Sequence, residues 1–183
     1  HSLPFSFPII KKRIFKKEPK IGDVVVFKTP SDNKTDYVKT LVGLPGDTIQ
    51  IKNGRLLINN KEVLRKEIKK KDFVLKNKYL SRKDYLEIFP NEKKHLIRET
   101  QGDEGPNDDT IQYTVPEDHF FMVGDNRNHS NDSRYSLGPL HKDYLIGIAK
   151  VILFSIDSGI LDLWKIWEWP TIIRFERFLS FIR

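Results

Sequence analysis

The stretch DYVKTLVGLPGDTIQIKNGRLLINNKEV, residues 36–63, decides the fold class. Read as a strand, its first part puts Tyr37, Lys39 and Leu41 on one face and Val38, Thr40 and Val42 on the other. LPGD then marks a tight turn, with Pro45 setting φ and Gly46 free to adopt a positive φ. In TIQIKNGRLLINNKEV, apolar residues alternate on both sides of Asn53-Gly54. That dipeptide favours a type I′ turn, so the segment predicts a β-hairpin.

The same strand-and-turn grammar extends outward. IGDVVVFK carries a β-branched run, Val24 to Val26, that predicts a buried strand, and TPSDNKTD is a turn cluster. VPEDHFFMVGD predicts a strand at Phe120 to Val123, and YLIGIAKVILFS predicts another, mostly apolar and largely buried. The fold class is therefore mainly β. Residues 1–60 and 113–158 are assigned to one core. Residues 61–112, rich in Lys and Glu, read as an inserted smaller α/β or β subdomain with a loop at QGDEGPNDD. Residues 159–183 form an amphipathic aromatic tail, with Trp164, Trp167, Trp169, Phe175, Phe178 and Phe181 among Arg and Lys. Prolines at 4, 8 and 19 predict an irregular basic arm over residues 1–20.

The 183 residues include 38% hydrophobic and 31% charged side chains, enough for a core and unlike a disordered chain. There is no cysteine, which excludes disulfides and thiolate metal sites. The net charge of +7 favours anionic partners, either lipid headgroups or nucleic acid. The chain starts at His1, shows no signal-peptide pattern, and has no apolar run near the roughly 18 residues that span a bilayer. It reads as a fragment or processed form of a longer protein.

VGDNRNHSNDSRYSLG, residues 123–138, sets a dense polar segment directly after an apolar strand. As a calcium loop starting at Asp125 it would place Arg127 and His129 at ligand positions, a poor fit, and no metal site is expected. It lacks the glycine patterns of nucleotide loops. One reading is local turn chemistry, with Asp and Asn side chains satisfying their own backbone. The other is the polar half of a catalytic site whose second half is Lys39. A mid-strand lysine is an edge charge or a snorkelling stem in the ordinary case. If buried, its lowered pKa would let the neutral amine take a proton from a serine, provided a hydroxyl such as Ser130 or Ser133 oriented it.

Four segments in order, PKIGDVVVFKTP, DYVKTLVGLPGDTI, FFMVGDNRNHSNDSRYSLG and IGIAKVILFS, resemble bacterial signal peptidase I, a membrane-bound protease with a Ser/Lys dyad. The resemblance implies a signal-peptidase-like antiparallel β catalytic core that removes signal peptides from secreted preproteins. It implies Lys39 as general base and Ser130 as the serine that orients it. Asp132 and Arg134 match the supporting ion pair, Asp125, Asn126 and Arg127 the structural part of the box, and Gly124 the glycine that opens it. No metal or organic cofactor is implied. Partners would be preproteins with small residues before the cut and an anionic membrane surface, with no nucleic acid. The location would be the bacterial inner membrane, with the catalytic domain on its outer, periplasmic face.

Two departures stand out. Thr40 replaces the usual arginine after the lysine, which predicts a local packing change on the opposite face. No SxMxPT nucleophile box is present, and neither Ser2 nor Ser6 has its context, so this chain alone is expected to be inactive. The alternative function is a non-enzymatic basic β domain binding anionic lipid or nucleic acid.

Overall fold

The structure is a computed structural model that describes residues 18–68, 83–103, 105, 108–149, 151–152 and 180–181. The expected basic arm falls almost wholly outside these residues. So do most of the Lys-rich segment and, apart from Ser180 and Phe181, the aromatic tail.

The predicted β character holds. The strands are β1 (Val24–Lys28), β2 (Asp36–Gly43), β3 (Thr48–Lys52), β4 (Arg55–Ile58), β5 (Lys61–Glu62), β6 (Leu64–Ile68), β7 (Lys83–Ile88), β8 (Lys94–Glu99), β9 (Tyr113–Thr114), β10 (His119–Val123), β11 (Leu140–His141), β12 (Leu145–Ile148), β13 (Val151–Ile152) and β14 (Ser180–Phe181). Among the described residues there is no α-helix, only a 3-10 turn over Lys142–Tyr144. No helix among them is long and apolar enough to cross a membrane.

The strands pair into antiparallel sheets with orders β11-β10-β2-β1-β12, β5-β4-β3-β9 and β6-β7-β8. Residues 1–148 cluster as one unit; residues 149–183 form another, in which β13 pairs with β14. The β3–β4 hairpin turns on Asn53 and Gly54 with φ of 48° and 68°, the two positive values a type I′ turn needs. Gly46 in LPGD has φ 83°.

β2 and β10 lie side by side, and their paired ends, Thr40 to Gly43 and Phe121 to Val123, are buried on both faces. Leu41 and Met122 face one apolar cluster with Val25, Phe27, Leu140 and Leu145. Their neighbours Val42, Phe121 and Val123 face a second cluster built from Ile49, Ile51, Leu56, Ile58, Phe89 and Val115. One backbone therefore joins two cores, because successive side chains of a strand point to opposite faces.

Two expectations need correction. β1 is not buried throughout: Val25 and Phe27 are fully buried, while Val24 and Val26 lie on a partly open face beside Val38. The predicted strand over residues 144–155 is also broken. β12 ends at Ile148, which pairs with Val25 near the start of β1. Val151 and Ile152 pair instead with Phe181 and Ser180.

Candidate active site

β2 carries Lys39 on the face shared with Tyr37 and Leu41, directly across from the buried Val25 of β1. Its amine lies 5.5 Å from the centre of the Tyr37 ring. β10 runs antiparallel to β2, with Val123 opposite Thr40, so the polar loop that follows β10 emerges beside Lys39. Ser130 folds back from that loop, and Lys39 Nζ donates to Ser130 Oγ at 2.7 Å across 91 residues of sequence.

Burial pushes the Lys39 amine below its ordinary pKa. The carboxylates of Asp132 and Asp125 oppose that shift and the Arg134 guanidinium adds to it. A desolvated amine in contact with a serine hydroxyl is equipped for proton transfer.

The loop is held by a buried ion pair. Asp132 and Arg134 are 0% and 6% exposed. Arg134 donates from Nε to Asp132 Oδ1 and from Nη2 to Asp132 Oδ2, both at 2.9 Å. Asp132 Oδ2 also accepts from Gly124 N at 2.8 Å, and Arg134 Nη2 donates to the Arg127 carbonyl at 2.7 Å. Desolvation works against the Arg134 charge, but the Asp132 carboxylate outweighs it and raises the guanidinium pKa. Ser133 closes the loop onto β10: its Oγ accepts from Met122 N, and its own N donates to the Met122 carbonyl.

Gly124 lies under the Lys39–Ser130 contact. A methyl group there would run into Ser130 Oγ and sit 3.3 Å from Lys39 Nζ. The absence of a side chain at this position is what lets the serine and the lysine meet.

A family model described as signal peptidase, peptidase S26, matches residues 4–154. The chain belongs to the signal peptidase family, peptidase S26. It is similar to signal peptidase I of Rickettsia typhi, at 37% identity over 93% of this chain and 68% of that protein. Signal peptidase I of Rickettsia prowazekii is 36% identical over 92% of this chain and 68% of its own length. A solved signal peptidase I from Enterococcus faecalis covers 72% of this chain and 97% of that one at 24% identity. Its TM-score is 0.42. Membership of the signal peptidase family places the chain among serine proteases that remove signal peptides. It does not favour the basic, non-enzymatic alternative.

Every site residue named from the signal peptidase resemblance lies in this one region. Lys39, Ser130, Gly124, Asp132 and Arg134 form a continuous contact network. Asp125, Asn126 and Arg127 form the turn behind it, which docks on β8: Arg98 N donates to the Asp125 carbonyl, and Arg127 N donates to the Arg98 carbonyl. His129 is exposed, as expected of a loop residue.

Thr40, where the resemblance expects an arginine, contacts Asp125 and His95. Thr40 Oγ1 donates to Asp125 Oδ1 at 3.3 Å, and His95 Nε2 lies 2.9 Å from each of those two oxygens. Partial desolvation raises the Asp125 pKa. The His95 and Thr40 hydrogen bonds and the Arg127 charge overcome that and hold it below the ordinary carboxylate value. The sequence reading missed His95, Glu87 and Glu99. The one available signal was the alternation of KDYLEI and KHLIRE, which groups Glu87 with Tyr85 and His95 with Ile97 and Glu99 without showing what those faces meet.

Proposed function

We propose that Lys39 is the general base of signal-peptide cleavage and that Ser130 orients its amine. The observation that carries this reading is the 2.7 Å Nζ–Oγ contact on an apolar wall. In the reaction, the neutral amine takes the proton from a nucleophilic serine as its Oγ attacks the scissile carbonyl carbon. The ammonium returns that proton to the leaving amine nitrogen as the C–N bond breaks, leaving an ester. Water then attacks the ester carbon while Lys39 accepts its proton, and the ammonium returns that proton to the serine Oγ as the ester C–O bond breaks, releasing the carboxylic acid product and restoring the neutral amine. No metal or organic cofactor enters these steps. No serine of this sequence stands in an SxMxPT box.

Substrates in this reading are secreted preproteins with small residues before the cut, bound in extended form along a strand edge. Residues 1–60 and 113–158 supply the catalytic core, residues 61–112 an inserted subdomain, and residues 159–183 an aromatic, basic tail suited to an anionic membrane surface. The domain would work at the outer, periplasmic face of the bacterial inner membrane.

The test uses the full-length protein with its nucleophile. Lys39→Ala is expected to abolish preprotein cleavage while circular dichroism stays unchanged; retained turnover would remove the base assignment. Ser130→Ala is expected to slow cleavage less severely. Because the lysine must be neutral, wild-type kcat/KM should rise with pH and level off below the ordinary lysine pKa of about 10.4. A pH–rate profile still climbing at that pH would contradict a desolvated base.

A further inference from the structure

β6, β7 and β8 bring three polar side chains into one cross-strand row: Arg65 pairs with Glu87, and Glu87 with His95. All three are buried, with exposures of 8%, 1% and 7%. Buried charge is costly unless partnered, so each of these groups must find something to hold. Arg65 turns away from the Lys39–Ser130 contact, to the Gly54 carbonyl, the Asp103 carboxylate and the Tyr85 ring. Glu87 and His95 turn toward the polar loop and take it on both sides of Asn126.

On one side, Glu87 Oε2 accepts from Arg127 Nη2 at 2.5 Å, and both side chains are buried. From Arg127 a hydrogen-bonded path runs through its carbonyl to Arg134, then to Asp132 and to Gly124 N, under the Lys39–Ser130 contact. On the other side, His95 Nε2 lies 2.9 Å from Asp125 Oδ1 and from Thr40 Oγ1, and Thr40 follows Lys39 on β2. The backbone completes the grip, with Asn126 bridged in parallel to Arg98 of β8. Two neighbouring side chains of a separate sheet thus reach the Lys39–Ser130 contact by two routes, one to Ser130 and one to the Lys39 strand.

We propose that the Glu87–His95 cross-strand pair is a positioning element for the Lys39–Ser130 contact, setting where the two side chains meet by clamping the Asp125–Arg127 turn. This rests on the reading of Lys39 as the base. Neither residue touches substrate; both act through the loop. The charged groups facing the Lys39 amine are Asp132, Asp125 and Arg134, and the clamp holds all three in place. If the clamp loosens, water reaches the amine and its largest influence, burial, is lost.

The test measures kcat/KM against pH for signal-peptide cleavage by full-length protein, with thermal melts alongside. His95→Leu removes the hydrogen bond to Asp125. It should still fold, because the Asp125 side chain is 64% exposed and can turn to water. It is expected to lower kcat/KM by tens to about a hundredfold, the scale of a misplacement near 1 Å. It should also move the acid limb of the profile to higher pH. His95→Gln, which keeps an N–H toward Asp125, should recover most of the loss. Glu87→Gln should act in the same direction as His95→Leu, with Glu87→Asp closer to wild type; if Glu87→Gln does not fold, the His95 pair decides. Glu62→Gln, in the exposed Arg55–Glu62 pair, is the control and should match wild type.

A His95→Leu variant with a lower melting temperature but an unmoved acid limb and unchanged kcat/KM would overturn the proposal, leaving only a structural contact. Lys39→Ala separates the two readings. If it is inactive while His95→Leu behaves as wild type, only the clamp fails. If it stays active, the base assignment fails too.

Discussion

Gly124 shows how much of the site rests on one missing side chain. Its amide donates to Asp132 Oδ2, and its bare Cα leaves the space that Ser130 Oγ occupies against Lys39. A Gly124→Ala substitution would have to displace the serine, the lysine or the end of β10. Overpacking of this kind costs roughly 1–3 kcal/mol. The effect on turnover should be larger, about a hundredfold or more in kcat/KM, because the displaced atoms are the proposed base and the hydroxyl that orients it. Thermal melts and steady-state rates on the same preparation check this, and a variant that loses stability while keeping full activity would contradict it. The motif GDNR announces a glycine at this place in the chain. That the glycine lies under the amine is visible only once β2 and β10 are paired.

At the scale of the element, β8 is more than a strand of the β6-β7-β8 sheet. Its inward face carries His95, Ile97 and Glu99, all buried, and its backbone receives the Asp125–Arg127 turn. Glu99 is 1% exposed. Burial pushes its carboxyl up to about 7, against the pull of Arg127, with Asp108 adding to the rise. The folded chain therefore binds this proton more tightly than the unfolded chain, whose glutamate titrates near the ordinary value of 4.5. That contribution to stability is full below about pH 4.5 and is lost as pH rises through 7. Its size is at most roughly 3.5 kcal/mol, taking about 1.4 kcal/mol for each pH unit between the two values. Glu99→Gln, which cannot ionise, should gain stability relative to wild type between pH 5 and pH 8. Urea midpoints at the two pH values test it, and parallel shifts in both proteins would sink the assignment. KHLIRE gives no hint of this by itself, because alternation alone cannot tell a buried glutamate from one facing water.

Across the whole molecule, β2 and β10 join two apolar clusters, and the Lys39–Ser130 contact stands on the side of only one. Phe121 and Met122 are adjacent, both 0% exposed, and belong to opposite clusters. Phe121→Ala should cost about 3–5 kcal/mol and Met122→Ala about 2–5 kcal/mol. Below both melting temperatures, only Met122→Ala should depress kcat/KM strongly, because Met122 shares the Lys39 face with Leu41. Equal losses of activity would show that the two cores do not act separately. Local chemistry was enough to read the turns at Pro45-Gly46 and Asn53-Gly54, the alternation of β2, β3 and β4, and the mainly β class, because those features depend on φ preferences and a period of two within a few residues. The motifs also named Lys39 and the 124–134 loop together. Their 2.7 Å contact, the end of β12 at Ile148, and the grip of Glu87 and His95 on the loop were decided by tertiary structure. Each depends on register and packing between segments distant in sequence. A period of two says which side chains share a face; which groups that face meets is settled only when the sheets pack.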